Sequence, residues 1–97
     1  MIEHLVLFKW RDTVTPRDVA EIREALLGMR GRIDGLQDLV CGENFSERAQ
    51  GWQFGLAVRF ETREALEAYA RDPVHEKVVE QFINPARSEV LALDFEI

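Results

Sequence analysis

The chain has 97 residues, 46% of them hydrophobic, with 12 basic against 18 acidic side chains and a net charge of −6. That length is one domain of an ordinary globular protein, and the acidic balance opposes binding to a nucleic-acid backbone, with no lysine or arginine cluster to offset it. Cys41 is the single cysteine, so an internal disulfide and a thiolate metal site of paired spacing are both excluded, and a reducing cytoplasm is the expected compartment.

An apolar strand begins directly after Met1, so no signal peptide is expected. No apolar run approaches the roughly 20 residues that a membrane-spanning helix requires. A chain this small buries a modest fraction of its surface, and self-association is the expected way to cover the rest.

Residues 2–10 read as a strand, with Ile2, His4, Val6, Phe8 and Trp10 on one face. Leu5 and Leu7 occupy the other, so both faces should be covered. Asp12 to Pro16 form a loop into a helix capped by Thr15, with Pro16 at its first position and Asp18 near the positive dipole end. Val19, Ile22, Leu26 and Met29 continue it at helical spacing, and Gly28, Gly31 and Gly35 lead out of it.

Strands follow at about 36–44 and 53–60, joined by the polar stretch Ser46–Gly51 and best paired as a hairpin. Trp52, Phe54, Leu56, Val58 and Phe60 alternate with Gln53, Gly55, Ala57 and Arg59, the period-two pattern of a strand. Gly55 and Ala57 keep that second face low, which suits close packing or a small cavity.

Thr62 caps a helix through Leu66 and Tyr69. Asp72-Pro73 then starts a second helical segment through Val78, Val79, Phe82 and Ile83, closed by Asn84-Pro85. From Glu89 a last strand places Leu91, Leu93, Phe95 and Ile97 on one face and Val90, Ala92, Asp94 and Glu96 on the other. With no repeat or linker, residues 1–97 are expected to form one domain. The βαββαβ order predicts an α+β, ferredoxin-like sandwich with both helical segments on one face of an antiparallel sheet. The bare face should then be buried against a second copy, giving a two-fold homodimer around a barrel-like core.

The same places carry a resemblance: His4-Leu5-Val6-Leu7-Phe8-Lys9, Gly42-Glu43-Asn44, the run Phe60–Tyr69, the turn Asp72-Pro73-Val74-His75, and Leu93-Asp94-Phe95. In order and spacing over essentially the whole chain, they resemble the stress-responsive α/β-barrel (Dabb) family. The resemblance implies a dimeric α+β barrel. One plant member, a polyketide cyclase that forms olivetolic acid by aldol ring closure, has active-site positions similar to His4, Tyr69 and His75. By that likeness His75 is the base and Tyr69 assists it. Asp72 stands where the cyclase has another histidine.

The chemistry also follows from the residue types. Enolisation needs a base for a carbon-bound proton and a donor for the enolate oxygen. His75 and Tyr69 fit these roles, with the dipole of the first helical turn keeping His75 neutral, and His4 could orient the carbonyl or share the proton. The three meet only if the His4 face of the first strand looks toward the helices. Plainer readings stand beside this one: His4 as a packed strand residue, His75 as part of a helix turn, Tyr69 as a core residue. Trp10, Trp52, Phe8 and Phe54 read as core or interface rather than cavity lining. Lys9 and Arg59 could hold an acidic ligand group, or serve solubility alone.

No cofactor or metal is expected, because His4, His75 and Asp72 or Glu76 have no recognised ligand spacing. The expected partners are a second copy of the chain and a small hydrophobic carbonyl compound. The functional alternatives are a cofactor-independent cyclase or isomerase, a non-catalytic ligand-binding or stress-response protein, and a cofactor-free monooxygenase.

Overall fold

A computed structural model describes residues 1–97. Four strands form one sheet in the order β2-β3-β1-β4, every neighbouring pair antiparallel. β1 is Ile2–Trp10, β2 Leu36–Glu43, β3 Phe54–Phe60 and β4 Arg87–Glu96. α1 spans Pro16–Leu27, α2 Arg63–Arg71 and α3 Pro73–Val78, and a π-helical turn, Val79–Ile83, continues α3. This is the ferredoxin-like arrangement that the order of elements predicts.

Each helix starts where its capping chemistry says it should. Thr15 Oγ1 accepts from the Asp18 backbone N–H at 3.1 Å while the Asp18 carboxylate accepts from the Thr15 N–H at 2.9 Å, a reciprocal capping box. Thr62 caps α2 through the Ala65 N–H at 3.1 Å. Asp72 closes α2 and opens α3, its carboxylate accepting from the Val74 N–H at 2.8 Å. The π turn was not anticipated. It is closed by the Asn84 N–H donating to the Val79 carbonyl at 2.8 Å, and apolar spacing alone does not separate such a turn from an α turn. β4 also starts earlier than Glu89, because an irregularity after Lys9 lets Arg87 pair with Trp10.

The even-numbered face of β1 is the buried one. Ile2, Val6, Phe8 and Trp10 are 4–7% exposed and lie beside Phe54, Leu56, Val58 and Phe60 of β3. Ile22 and Leu26 of α1, Tyr69 of α2 and Ile83 cover this surface and complete the core. Each large side chain so buried contributes about 1.5–3 kcal/mol relative to exposure. Gly35 brings α2 close to the sheet. Its φ is +81°, and a Cβ there would stand 2.6 Å from that of Ala65, so neither the conformation nor the space suits another residue.

Two open regions remain. The opposite sheet face carries Leu5 and Leu7 beside Gly55 and Ala57, with Val40, Leu91, Leu93 and Phe95 left 51%, 51%, 57% and 43% exposed. On the helix side no part of β4 is buried, so its inward-facing side chains border open space instead of a packed helix. No helix is long and apolar enough to cross a membrane.

Candidate active site

Along the uncovered inner side of β4 run two connected hollows, of about 580 and 360 Å³, and His4, Tyr69 and His75 line both. The larger lies between the end of β4 and α2, where its rim is polar: Arg63, Glu67, Asp94 and Glu96. The smaller lies toward the π turn and is mostly apolar, lined by Val6, Phe8, Leu56, Val79 and Ala92 among others. The three candidate residues thus occupy the waist between a chamber with a charged rim and one lined mostly by apolar side chains.

Strand alternation and the α2–α3 break place them there. His4 lies on the helix-facing side of β1, between the buried Ile2 and Val6. Tyr69, 3% exposed near the end of α2, packs against Phe60 with ring centroids 4.9 Å apart. The Asp72-Pro73 break turns the chain so that the His75 ring lies 4.1 Å from that of Tyr69 at 40°, while His4 meets Tyr69 edge-on at 6.0 Å. Tyr69 therefore touches both histidines.

His75 Nδ1 is buried and has no hydrogen-bond partner within the protein. Such a nitrogen is costly to leave idle. Burial holds the His75 pKa below its ordinary value; the Ala70 carbonyl opposes this, and the His4 ring adds to the lowering. α3 has only six residues, and desolvation dominates. Burial also drives the Tyr69 hydroxyl well above the usual phenol range, so it stays protonated and able to donate.

Asp94 is the member that the sequence did not single out. Its carboxylate is hydrogen-bonded to His4 Nδ1, and since a carboxylate only accepts, a proton stands on Nδ1. The two residues are direct partners in the β1–β4 register. The available signal was weak: an acid alternating with Val90 and Ala92 on the inward face of a strand.

Other candidates have different duties. The Arg59 guanidinium is paired with Glu3 at 2.7 Å and Lys9 with Glu89 at 3.2 Å, so neither is free for a ligand. Phe8 lines the apolar chamber, whereas Trp10 and Phe54 are core, and Trp52 lies under the Lys9 ammonium at 4.7 Å. Arg23 and Arg30 come near Cys41 in space, yet burial wins and pushes the thiol pKa up. No three His, Cys, Asp or Glu side chains gather in a way that could hold a metal ion.

The family model for the stress-responsive A/B barrel domain matches residues 2–97. The chain belongs to this family. As a stress-responsive A/B barrel protein it is similar to an uncharacterized protein of Streptomyces coelicolor, 35% identical over 79 residues, which are 78% of this chain and 80% of that one. Its fold is similar to a structure described as a dimeric ferredoxin-like protein of unknown function from Thermobifida fusca, with TM-score 0.88, 27% identity, and 99% of this chain and 90% of that chain covered. A hydroxynitrile lyase from Passiflora edulis has TM-score 0.88 at 14% identity, over 99% of this A/B barrel chain and 92% of its own. At that identity the likeness is one of fold.

Proposed function

We propose that this protein binds a small apolar carbonyl compound at the waist of the two chambers and enolises it without a cofactor, as a cyclase or isomerase does. The observation that carries this reading is the clustering of His4, Tyr69 and His75 on the lining shared by both hollows. A neutral imidazole that lines a cavity can take a proton from a bound carbonyl compound. In the proposed step His75 removes a proton from the carbon next to the carbonyl, the C–H electron pair becomes a C=C bond, and the carbonyl π pair moves to oxygen. Tyr69 donates a hydrogen bond to that oxygen, as the electrostatic stabilisation of an enolate requires. His4, held by Asp94, orients the carbonyl through its ring. Return of the proton at another position gives an isomer. Attack of the enolate carbon on a second carbonyl of the same molecule forms a ring bond, and the new alkoxide takes the proton back from His75.

The resemblance of His4, Tyr69 and His75 to the positions of a polyketide cyclase supports the same reading. A second copy of the chain would cover the bare sheet face, in keeping with relatives of this fold described as dimeric. The test is exchange of α-hydrogen for deuterium in a linear β-diketone and a β-ketothioester, followed by NMR. Wild type should accelerate exchange and His75→Ala should lose about 10²–10⁴-fold of that acceleration. Equal exchange by both proteins removes His75 from the mechanism, and binding without exchange by wild type leaves a ligand-binding protein instead.

A further inference from the structure

The apolar chamber ends in charge. At the end away from the histidines it is lined by Asn84 and Arg87. Of the two guanidinium groups that border the hollows, Arg63 is paired with Glu96 at 3.3 Å, whereas Arg87 meets no carboxylate. Arg87 Nε donates to Asn84 Oδ1 at 3.5 Å, which sets the two side chains next to one another. That bond occupies the amide's acceptor and leaves its N–H₂ group available, beside the remaining guanidinium N–H groups. Arg11 stands behind them: its Nε donates to the Arg87 carbonyl at 3.0 Å and its Nη2 to the Asn84 carbonyl at 3.4 Å. A second fixed positive charge therefore backs the first.

The opposite mouth has the reverse character, with Glu67, Asp94 and Glu96 around the paired Arg63. On a chain of net charge −6, an unneutralised cation and adjacent amide donors at one end of an apolar chamber are a local anion site, not a general property of the surface.

From these groups, and resting on the enolisation reading above, we infer the substrate class: a medium-chain oxo acid, with its carboxylate held at Arg87 and Asn84, its apolar chain along the smaller chamber, and its carbonyl beside His75 and Tyr69. A planar guanidinium and an amide N–H₂ side by side match the two oxygens of a carboxylate. The strand between Arg87 and Asp94 spans on the order of 20 Å, part of which the arginine side chain covers, so the ligand is an extended chain. Arg87 and Asn84 are exposed at this end of the chamber, so an acid end would exchange their water for a charge-assisted pair, which an apolar tail cannot do.

The test is calorimetric binding of decanoate and of decan-1-ol at pH 8 to wild type, Arg87→Gln, Arg87→Lys and Arg48→Gln, the last a neutralised arginine in the β2–β3 loop. Decanoate should bind wild type at least about tenfold more tightly than the alcohol. Arg87→Gln should erase that preference, Arg87→Lys should restore part of it, and Arg48→Gln should keep it. Equal affinity of wild type for acid and alcohol overturns the inference, as does a preference that survives Arg87→Gln. The outcome is separable from the enolisation reading, because binding is measured without turnover. Decanoate selectivity without deuterium exchange removes the chemistry and keeps the anion site, and exchange without selectivity does the opposite.

Discussion

His4 Nδ1 and the Asp94 carboxylate are hydrogen-bonded across directly paired positions of β1 and β4. The carboxylate therefore holds a proton on His4 Nδ1 and fixes the orientation of that ring. Asp94→Asn keeps the shape and removes the charge. It is expected to slow α-hydrogen exchange by about tenfold, the kinetic equivalent of ~1.4 kcal/mol for a weakened charge-assisted bond. Nitrogen-15 NMR of the imidazoles gives an independent reading, since a His4 Nδ1 found without a proton at neutral pH would remove Asp94 from this role.

Tyr69→Phe isolates the hydroxyl. The Phe60 contact at 4.9 Å and the ring contact with His75 both survive the change, so thermal stability should be nearly unaltered. If the hydroxyl steadies the enolate oxygen, exchange should fall about 10²–10³-fold. Full activity in this variant assigns Tyr69 to packing.

Acid should destabilise the protein through His75. Its folded-state pKa lies below the ordinary value, so between that lowered value and about 6.5 the unfolded chain binds a proton that the native state does not. Stability then rises with pH across this window, and what His75 contributes is lost as pH falls toward the folded pKa. Chemical denaturation of wild type from pH 7 to pH 5 should show a steeper decline than His75→Gln shows. Parallel curves would mean that the ring protonates equally in both states.

Leu93→Lys places a charge in the middle of the bare sheet face, where Leu93 is 57% exposed. Light scattering should give twice the chain mass of 11.2 kDa for wild type and a single chain mass for the variant. A wild-type monomer would falsify the dimer.

Gly35→Ala combines a φ of +81° with a 2.6 Å approach to the Ala65 Cβ. A loss of about 1–3 kcal/mol is expected in urea unfolding. Ala65→Gly added to it should relieve the steric part and leave the backbone part. A neutral Gly35→Ala would show that α2 can shift away from the sheet.

How far the sequence could be read differs from residue to residue. Thr15, Thr62 and Asp72 announced their helix starts because capping is local chemistry between residues a few positions apart. The alternation of Trp52 to Phe60 announced β3, although Trp52 itself stays outside the strand as a platform for Lys9. The π turn at Val79–Ile83 carried no signature, since Val78, Val79, Phe82 and Ile83 are spaced as an α-helix would have them. The lowered pKa of His75 has burial as its largest cause, a property of what surrounds the ring that its place in α3 does not reveal.

Sequence by itself determined the period of each element, the caps, the order βαββαβ, and which side chains share a face, because these depend on neighbours along the chain. Both faces of β1 are apolar, so it could not say which of them looks toward the helices. Tertiary structure decided that: the β1–β3 register sets Ile2, His4, Val6 and Phe8 beside Phe60, Val58, Leu56 and Phe54, and the helices cover that surface. Antiparallel pairing of the first and last strands then brought Asp94 to His4 across almost the entire chain. No local pattern encodes such a contact, because the register of distant strands is settled by the packing of all of them together.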